Sequence, residues 1–176
     1  IVDVIIPVFN AEGSISNCIN SVLNQDLLNS VILINDGSVD STKSILIEYQ
    51  RKYKQIKLIN LERNGGLVNA LNIGIEESIS DTVLLLSAHC VLYDKHAIEK
   101  LVDSIDLFSA AGVFGRQIPT SKSSNIDTRD LLTVFGRERI IYEKYPFFHN
   151  AFSLIDRNVW KDIPFSTSTN GIEDRY

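Results

Sequence analysis

The sequence predicts an α/β domain built around a mainly parallel central sheet with helices packed on its faces. The chain opens on IVDVIIPVF, a nearly continuous β-branched run typical of strands buried on both faces of a parallel sheet. Strand-like and helix-like stretches then alternate at the spacing of stacked βαβ units. Each of the first strand-like stretches also runs into a polar, turn-forming cluster, as an open sheet with loops along one edge requires.

Taken in order, Pro7 and Asn10 close the opening strand. From Ser14 onward Ile15, Cys18, Ile19, Val22 and Leu23 recur at i, i+3, i+4, i+7 and i+8, the stripe of an amphipathic helix. Val31 to Ile34 is a second apolar strand, ended by Asn35-Asp36-Gly37-Ser38. Ser41 to Tyr53 reads as helix through Ile45, Tyr49 and Tyr53, and Ile56 to Leu61 as strand. Beyond Asn64-Gly65-Gly66 a helix runs through Leu67, Leu71 and Ile75, followed by a strand from Thr82 to Leu86. Asp94 is placed to cap a helix through Ile98, Leu101, Val102 and Ile105. The pattern loosens from Val113. Gly115 to Asp127 is polar and turn-rich, with Pro119 to Asn125 expected to be a mobile loop. Leu131 to Phe135 reads as a short helix, Ala151 to Ile155 as a strand and Asn158 to Lys161 as a helical turn.

A length of 176 residues suits one domain over 1–176, and 44% hydrophobic with 22% charged residues is a composition that folds around a core. Lys and Arg total 17 against 22 for Asp and Glu, a net charge of -5 that argues against a nucleic-acid partner. A polyanionic ligand must then be held locally, by backbone amides, a few chosen cations or a metal. Two cysteines make no disulfide framework, and Cys18 falls on a helical apolar stripe, so reduced thiols and a cytoplasmic location are expected. No apolar run approaches the ~18 residues of a membrane span, and no signal peptide opens the chain. The start at Ile1 and the lack of methionine read as an excised piece, with any targeting or membrane segment elsewhere.

Ligands of open parallel sheets bind at the carboxyl ends of the strands. Pro7-Val8-Phe9-Asn10, Asn35-Asp36-Gly37-Ser38, Arg63-Asn64-Gly65-Gly66 and Ser87-Ala88-His89-Cys90 all fall there. Together they would bring the Asp36 carboxylate, glycine-flanked amides and the His89 imidazole to one crevice able to hold a nucleotide. GxGxxG and GxxxxGK[ST] are both missing, which takes support from dinucleotide dehydrogenases and P-loop enzymes.

PVFN after the opening strand, NDGSVDST after the second, NGGLVNALNIGI and a late Gly-Ile-Glu-Asp occur in this order along essentially the whole chain. In this the sequence resembles the family 2 inverting glycosyltransferases of the GT-A fold. The resemblance implies a Rossmann-like nucleotide-sugar half over 1–92 and an acceptor half over 93–176 that is cut short at its carboxyl end. It assigns Asp36 to the nucleotide base or ribose, Pro7, Phe9 and Asn10 to the base, and Asn64, Gly65, Ser87 and Ala88 to the donor nucleotide. Glu173 and Asp174 fall on the pair that supplies the catalytic base.

One position departs from the family's pattern. Its Asp-x-Asp, which holds a divalent cation against the sugar diphosphate, aligns with Ser87-Ala88-His89. The first carboxylate is lost and His89 takes the place of the second, where imidazole can ligate Mn2+ or Mg2+ although oxygen suits them better. A subset of capsular and rhamnosyl-type members is similar in carrying a Ser-Ala-His stretch, so the departure does not by itself imply an inactive enzyme.

Plainer readings stand beside these. Asp36-Gly37 is ordinary turn chemistry, His89 fits a half-buried core histidine, and Glu173-Asp174 fits an acidic first turn of a helix. Arg51, Lys52, Lys54 and Lys57 read as a solvated helix end, and Trp160, Tyr145, Phe147 and Phe148 as core. His149 and Asn150 precede a strand that faces the pocket and are candidates for the donor sugar.

The resemblance implies transfer of a sugar from a nucleotide-diphosphate donor to the hydroxyl of a saccharide or lipid-linked saccharide, with inversion, in bacterial cell-surface polysaccharide synthesis. An alcohol is a poor nucleophile at neutral pH, so a carboxylate must take its proton. Asp174 is assigned that role and Glu173 the orientation of the acceptor, since adjacent residues point in different directions. Association with the inner face of the membrane would come through segments outside this chain. Two rivals are a catalytically inactive nucleotide-sugar-binding module and a sugar nucleotidyltransferase, the latter weakened by the lack of a Gly-rich opening loop with a following basic residue.

Overall fold

A computed structural model describes residues 1–120, 123–136, 138, 140–142 and 148–167. The elements run β1 (Val2–Val8), α1 (Ile15–Leu23), β2 (Leu28–Asp36), α2 (Thr42–Lys52), β3 (Ile56–Leu61), α3 (Leu67–Glu76), β4 (Thr82–Leu86), α4 (Ala97–Phe108), β5 (Gly112–Phe114), α5 (Asn125–Val134), β6 (Phe152–Asp156) and α6 (Arg157–Asp162). The strands form one sheet in the order β3-β2-β1-β4-β6-β5. β1 lies parallel between β2 and β4, and β3 extends the parallel half beyond β2. β6 pairs antiparallel with both β4 and β5 and closes the other side.

The opening β-branched run becomes a central strand because both its faces are covered. Val2, Val4, Ile6 and Val8 point to one side, packed with α1, Leu46 of α2, and Ile98, Leu101 and Ile105 of α4. Ile5 points to the other, with Ile32, Ile34, Leu71, Ile75 and Leu85. This period-two division makes two apolar layers on either side of one sheet. On the second face α3 approaches β1 so closely that a Cβ on Gly74 would lie 2.3 Å from Ile5 Cγ2. Trp160 packs against the same layer, and its indole Nε1 donates to Asn72 Oδ1 at 3.0 Å.

Several boundaries differ from the sequence expectation for identifiable reasons. β2 starts at Leu28 rather than Val31, because Asn29 and Ser30, polar in a strand, turn their side chains onto the buried Asp3 carboxylate at 2.8 and 2.6 Å. Asp94 does not cap α4. It lies two residues before the helix-capping His96, whose N–H donates to Asp94 Oδ1 at 3.0 Å within the preceding turn. α5 covers the end of the segment expected to be loop, and its apolar residues Ile126, Leu132 and Val134 stay exposed, which is why the helical stripe is weak. β5 is three residues long and exists through its pairing with β6. α6 is capped by the Asp156 side chain, which accepts the N–H of Asn158 at 2.7 Å. Among the described residues no helix is long and apolar enough to cross a membrane.

Candidate functional site

The loops leaving the carboxyl ends of β1, β2 and β3 are tied to one another by specific hydrogen bonds. Asn10, at φ 47, accepts the N–H of Val39 on its Oδ1 at 2.9 Å and donates its own N–H to Ser38 Oγ at 3.1 Å. The N–H of Ala11 donates to Thr42 Oγ1 at 2.8 Å. Asn10 and Ala11 thereby tie the β1 loop to the β2 loop and the start of α2. The β2 loop is held in turn to the segment after β3. Asp36 is 3% exposed and its two carboxylate oxygens accept the N–H groups of Gly65 at 2.7 Å and Gly66 at 3.0 Å. Gly66 N–H is shared with Asn64 Oδ1 at 3.1 Å. Gly37, at φ +69, lets the backbone pass so close that a Cβ there would sit 2.6 Å from Arg63 C and Asn64 N.

The loop after β4 is fixed from both sides. Ser87 N–H donates to the Ala151 carbonyl at 2.9 Å, and the Ser87 carbonyl accepts the Cys90 N–H at 2.9 Å and the Cys18 thiol at 3.6 Å. Cys18 and Cys90 are free thiols, and burial pushes them up to about 12 and about 11. Neither is a nucleophile at neutral pH.

A cleft of about 340 Å³ opens at this edge, lined by Pro7, Leu67, Leu71, Leu86, Ser87, His89, Gln117, His149, Asn150 and Ala151. A shallower hollow of about 670 Å³ lies on the other side of the Gly65 turn, lined by Asn60, Leu61, Glu62, Arg63, Gly65, Asn69 and Thr167. The structure thus brings Pro7, Ser87, His89, His149 and Asn150 to one cleft, with Gly65 at the neighbouring hollow. Asp36 lies beneath the loop it clamps. Phe9, 48% exposed, and Asn10 stand at the rim of the β1 loop, and Asn64 and Ala88 line neither cavity. Glu173 and Asp174 lie outside the described residues, as do Tyr145 and Phe147.

Gln117 is the cleft residue that sequence reading does not single out. Its Nε2 donates to His149 Nδ1 at 2.9 Å across 32 residues of chain. His89 is exposed at the cleft and Ser87 half-buried beside it. Among the described residues, the one grouping of three metal-ligating side chains is Asp26, His96 and Glu99. Asp26 immediately precedes β2, at the opposite end of the sheet from this cleft.

A parallel β3-β2-β1-β4 core with an antiparallel pair added beyond β4, and glycine-bearing loops tied together at the carboxyl edge, is the frame of a GT-A domain. The chain belongs to Glycosyl transferase family 2, which it matches over residues 3–163. It is similar to the poly-beta-1,6-N-acetyl-D-glucosamine synthase of Staphylococcus epidermidis, with 27% identity over 164 residues covering 89% of this chain and 40% of that protein. It is also similar to the poly(ribitol-phosphate) beta-glucosyltransferase of Bacillus spizizenii, with 27% identity covering 99% of this chain and 28% of the other. Among solved structures, the mannosyltransferase PcManGT from Pyrobaculum calidifontis, in complex with GDP-Man and Mn2+, superposes with a TM-score of 0.77 at 19% identity, covering 99% of this chain and 49% of that one. S. aureus TarS 1-349 in complex with UDP superposes at 0.70 with 24% identity, covering 99% and 52%. These two likenesses establish the shared fold. The chain spans 24% to 40% of the length of the first curated relatives it matches.

Proposed function

We propose that this chain is the donor-binding part of an inverting glycosyltransferase, which moves a sugar from a nucleoside diphosphate to a hydroxyl of a saccharide or lipid-linked saccharide in bacterial cell-surface polysaccharide synthesis. The observation that carries the reading is the Asp36 clamp on Gly65 and Gly66, which fixes two family loops against each other beside the cleft. In this reading Pro7, Phe9 and Asn10 receive the base, Asp36, Asn64 and Gly65 form the wall next to the nucleoside, and Ser87 and Ala88 meet the diphosphate. His149 and Asn150 meet the donor sugar.

The chemistry assigned to the chain is one displacement. The acceptor oxygen attacks the anomeric carbon on the face opposite the diphosphate, the C–O bond to phosphate breaks, and Asp174 takes the hydroxyl proton. Glu173 orients the acceptor. The configuration inverts and no covalent intermediate is needed.

The residues at Ser87–His89 fit a cation that arrives with the diphosphate. One exposed imidazole and a neighbouring hydroxyl are present, and phosphate oxygens and water would complete the shell. Held by His89, Mn2+ or Mg2+ would offset the negative charge that gathers on the leaving diphosphate. Association with the inner face of the membrane, through segments outside this chain, belongs to the same reading.

Thermal shift with UDP, GDP and dTDP and their sugar esters, with and without Mn2+, tests the binding, since a ligand of the folded state raises stability by mass action. Release of nucleoside diphosphate from the donor that binds tests the transferase. Binding without any turnover would identify an inactive nucleotide-sugar-binding module, the reading favoured by Ser87-Ala88-His89, where the family carries carboxylates.

A further inference from the structure

Both polar atoms of the Asn150 amide are shielded from solvent and have no hydrogen-bond partner among the described residues, although the residue lines the cleft between α3 and the start of β6. Native folds rarely leave a buried amide in that state, and each case calls for a reason. Its neighbour His149 is, by contrast, fixed. Nδ1 accepts Gln117 Nε2–H at 2.9 Å and the Ala151 N–H at 3.3 Å, while the ring packs edge-on against Phe135 with centroids 5.4 Å apart. Two donors directed at Nδ1 assign the ring proton to Nε2.

The charge of the cleft is equally specific. Among the described residues no Asp, Glu, Lys or Arg lines it, and its apolar wall comes from Leu67, Leu71 and Leu86. Arg116, next to Gln117, lies on the exposed side of that segment. A sugar hydroxyl donates and accepts, and a primary amide offers both functions. A carboxylate placed here would lose water and find no Lys or Arg among the described lining residues.

We infer that this cleft receives the transferring sugar and selects uncharged glycosyl groups, with Asn150 turning its amide onto sugar hydroxyls and Gln117 holding His149 in the Nε2–H form. The inference rests on the donor-binding reading above and adds the class of sugar. Asn150 and Gln117 differ in role. Asn150 touches the sugar, whereas Gln117 is a positioning residue acting through His149. Donors carrying a uronic acid are disfavoured, because no Lys or Arg lines the cleft among the described residues and a cation at His89 would be taken up by the diphosphate.

Calorimetric titration tests this with UDP, GDP and dTDP alone, with their neutral hexose esters, and with the corresponding uronic acid esters. A neutral ester is expected to bind more tightly than its own nucleoside diphosphate, and the uronic ester at least about tenfold more weakly than the neutral one. Asn150→Ala should weaken the neutral ester about tenfold, the worth of a lost hydrogen bond, and leave the bare nucleoside diphosphate unchanged. The same variant should melt no lower than the wild type, since it deletes an unpartnered amide, whereas a structural role would lower the melting temperature. In Gln117→Leu, imidazole 15N NMR should show His149 with a weaker preference for the Nε2–H form, since the Ala151 N–H alone still faces Nδ1. Equal affinity for neutral and uronic esters would overturn the inference, as would an Asn150→Ala effect of the same size on ester and bare diphosphate. Failure of all three nucleoside diphosphates to bind would instead remove the donor-binding reading, and this inference with it.

Discussion

Asp36 and Gly65 are joined by a 2.7 Å hydrogen bond in which the buried carboxylate at the end of β2 accepts the backbone N–H of the turn after β3. The second oxygen takes Gly66 in the same way, so one side chain sets the position of two backbone amides in the turn beside the hollow. Each carboxylate oxygen has a second lone pair, which leaves capacity for a nucleobase or ribose group. Asp36→Ala is therefore expected to act twice. It should cost about 1–3 kcal/mol of folding stability by orphaning two amides, and weaken nucleoside diphosphate binding by a similar amount. Urea unfolding and calorimetric titration read the two effects separately, and unchanged affinity would remove Asp36 from the binding site.

Gly37 is expected to be among the least replaceable residues of the edge. Its φ of +69 disfavours any side chain, and an added Cβ would meet backbone atoms of Arg63 and Asn64 at 2.6 Å that cannot swing aside. Gly37→Ala should destabilise the fold by about 1–3 kcal/mol or more. Gly13→Ala is the matched control, because among the described residues nothing lies within 4 Å of a Cβ there. A Gly37→Ala variant as stable as the Gly13→Ala control would show that the loop relaxes freely.

Much of this arrangement is legible in the sequence, and what is not has a physical cause. The parallel half announces itself because residues such as Ile5 and Ile6 are apolar on both faces, and because Ile15, Cys18, Ile19 and Val22 all fall on one helical stripe and are buried. The loop clusters could be placed at one edge because parallel strands all end there. The start of β2 was hidden because Asn29 and Ser30 are chosen for hydrogen bonding to Asp3 and not for strand propensity. Gln117 was hidden because its hydrogen bond is to His149, 32 residues away in sequence. Composition and periodicity register neither kind of choice.

Asp3 itself makes stability depend on acid. Burial opposes its charge, but hydrogen bonds from the Ser30 and Ser78 hydroxyls, the Asn29 amide and the Ile79 N–H outweigh that, and its pKa falls well below the usual carboxylate range. A carboxyl whose folded pKa is depressed contributes stability above its unfolded pKa of ~3.9, and that stability is lost as pH falls from there towards the folded value. Asp3→Asn should flatten the decline of stability between about pH 4 and pH 2 while lowering stability at pH 7. Asp3→Ala, which leaves the Ser78 hydroxyl and the Ile79 N–H without their acceptor while Ser80 N–H keeps Ser78 Oγ, should cost about 1–3 kcal/mol for each orphaned donor at neutral pH. Denaturant midpoints across pH check both, and an unchanged acid slope in Asp3→Asn would assign the acid sensitivity elsewhere.

His89 is the side chain on which cation dependence is expected to turn. A single imidazole holds Mn2+ weakly, so the protein alone should take up little of the ion, and uptake should rise when nucleoside diphosphate supplies further oxygens. Chelator-treated protein should bind nucleoside diphosphate less well, with Mn2+ restoring the affinity in the wild type and less so in His89→Ala. Equal affinity with chelator and with Mn2+ would mean that the imidazole meets phosphate directly.

The role proposed for Asp174 separates binding from chemistry. Asp174→Asn keeps the size and most hydrogen bonding of the side chain but cannot take a proton from the acceptor. Loss of a general base costs a factor of about 10²–10⁴ in rate, and nothing in the donor-binding loops depends on that side chain in this reading. Release of nucleoside diphosphate with water as acceptor should fall by that factor in Asp174→Asn, while calorimetric affinity for the nucleoside diphosphate stays at the wild-type value. Glu173→Gln, altering a group assigned to the orientation of the acceptor, should instead raise the acceptor KM more than it lowers kcat. If Glu173→Gln abolished hydrolysis and Asp174→Asn did not, the two carboxylates would exchange roles. If neither variant slowed hydrolysis, the base would have to be sought among other residues near the cleft.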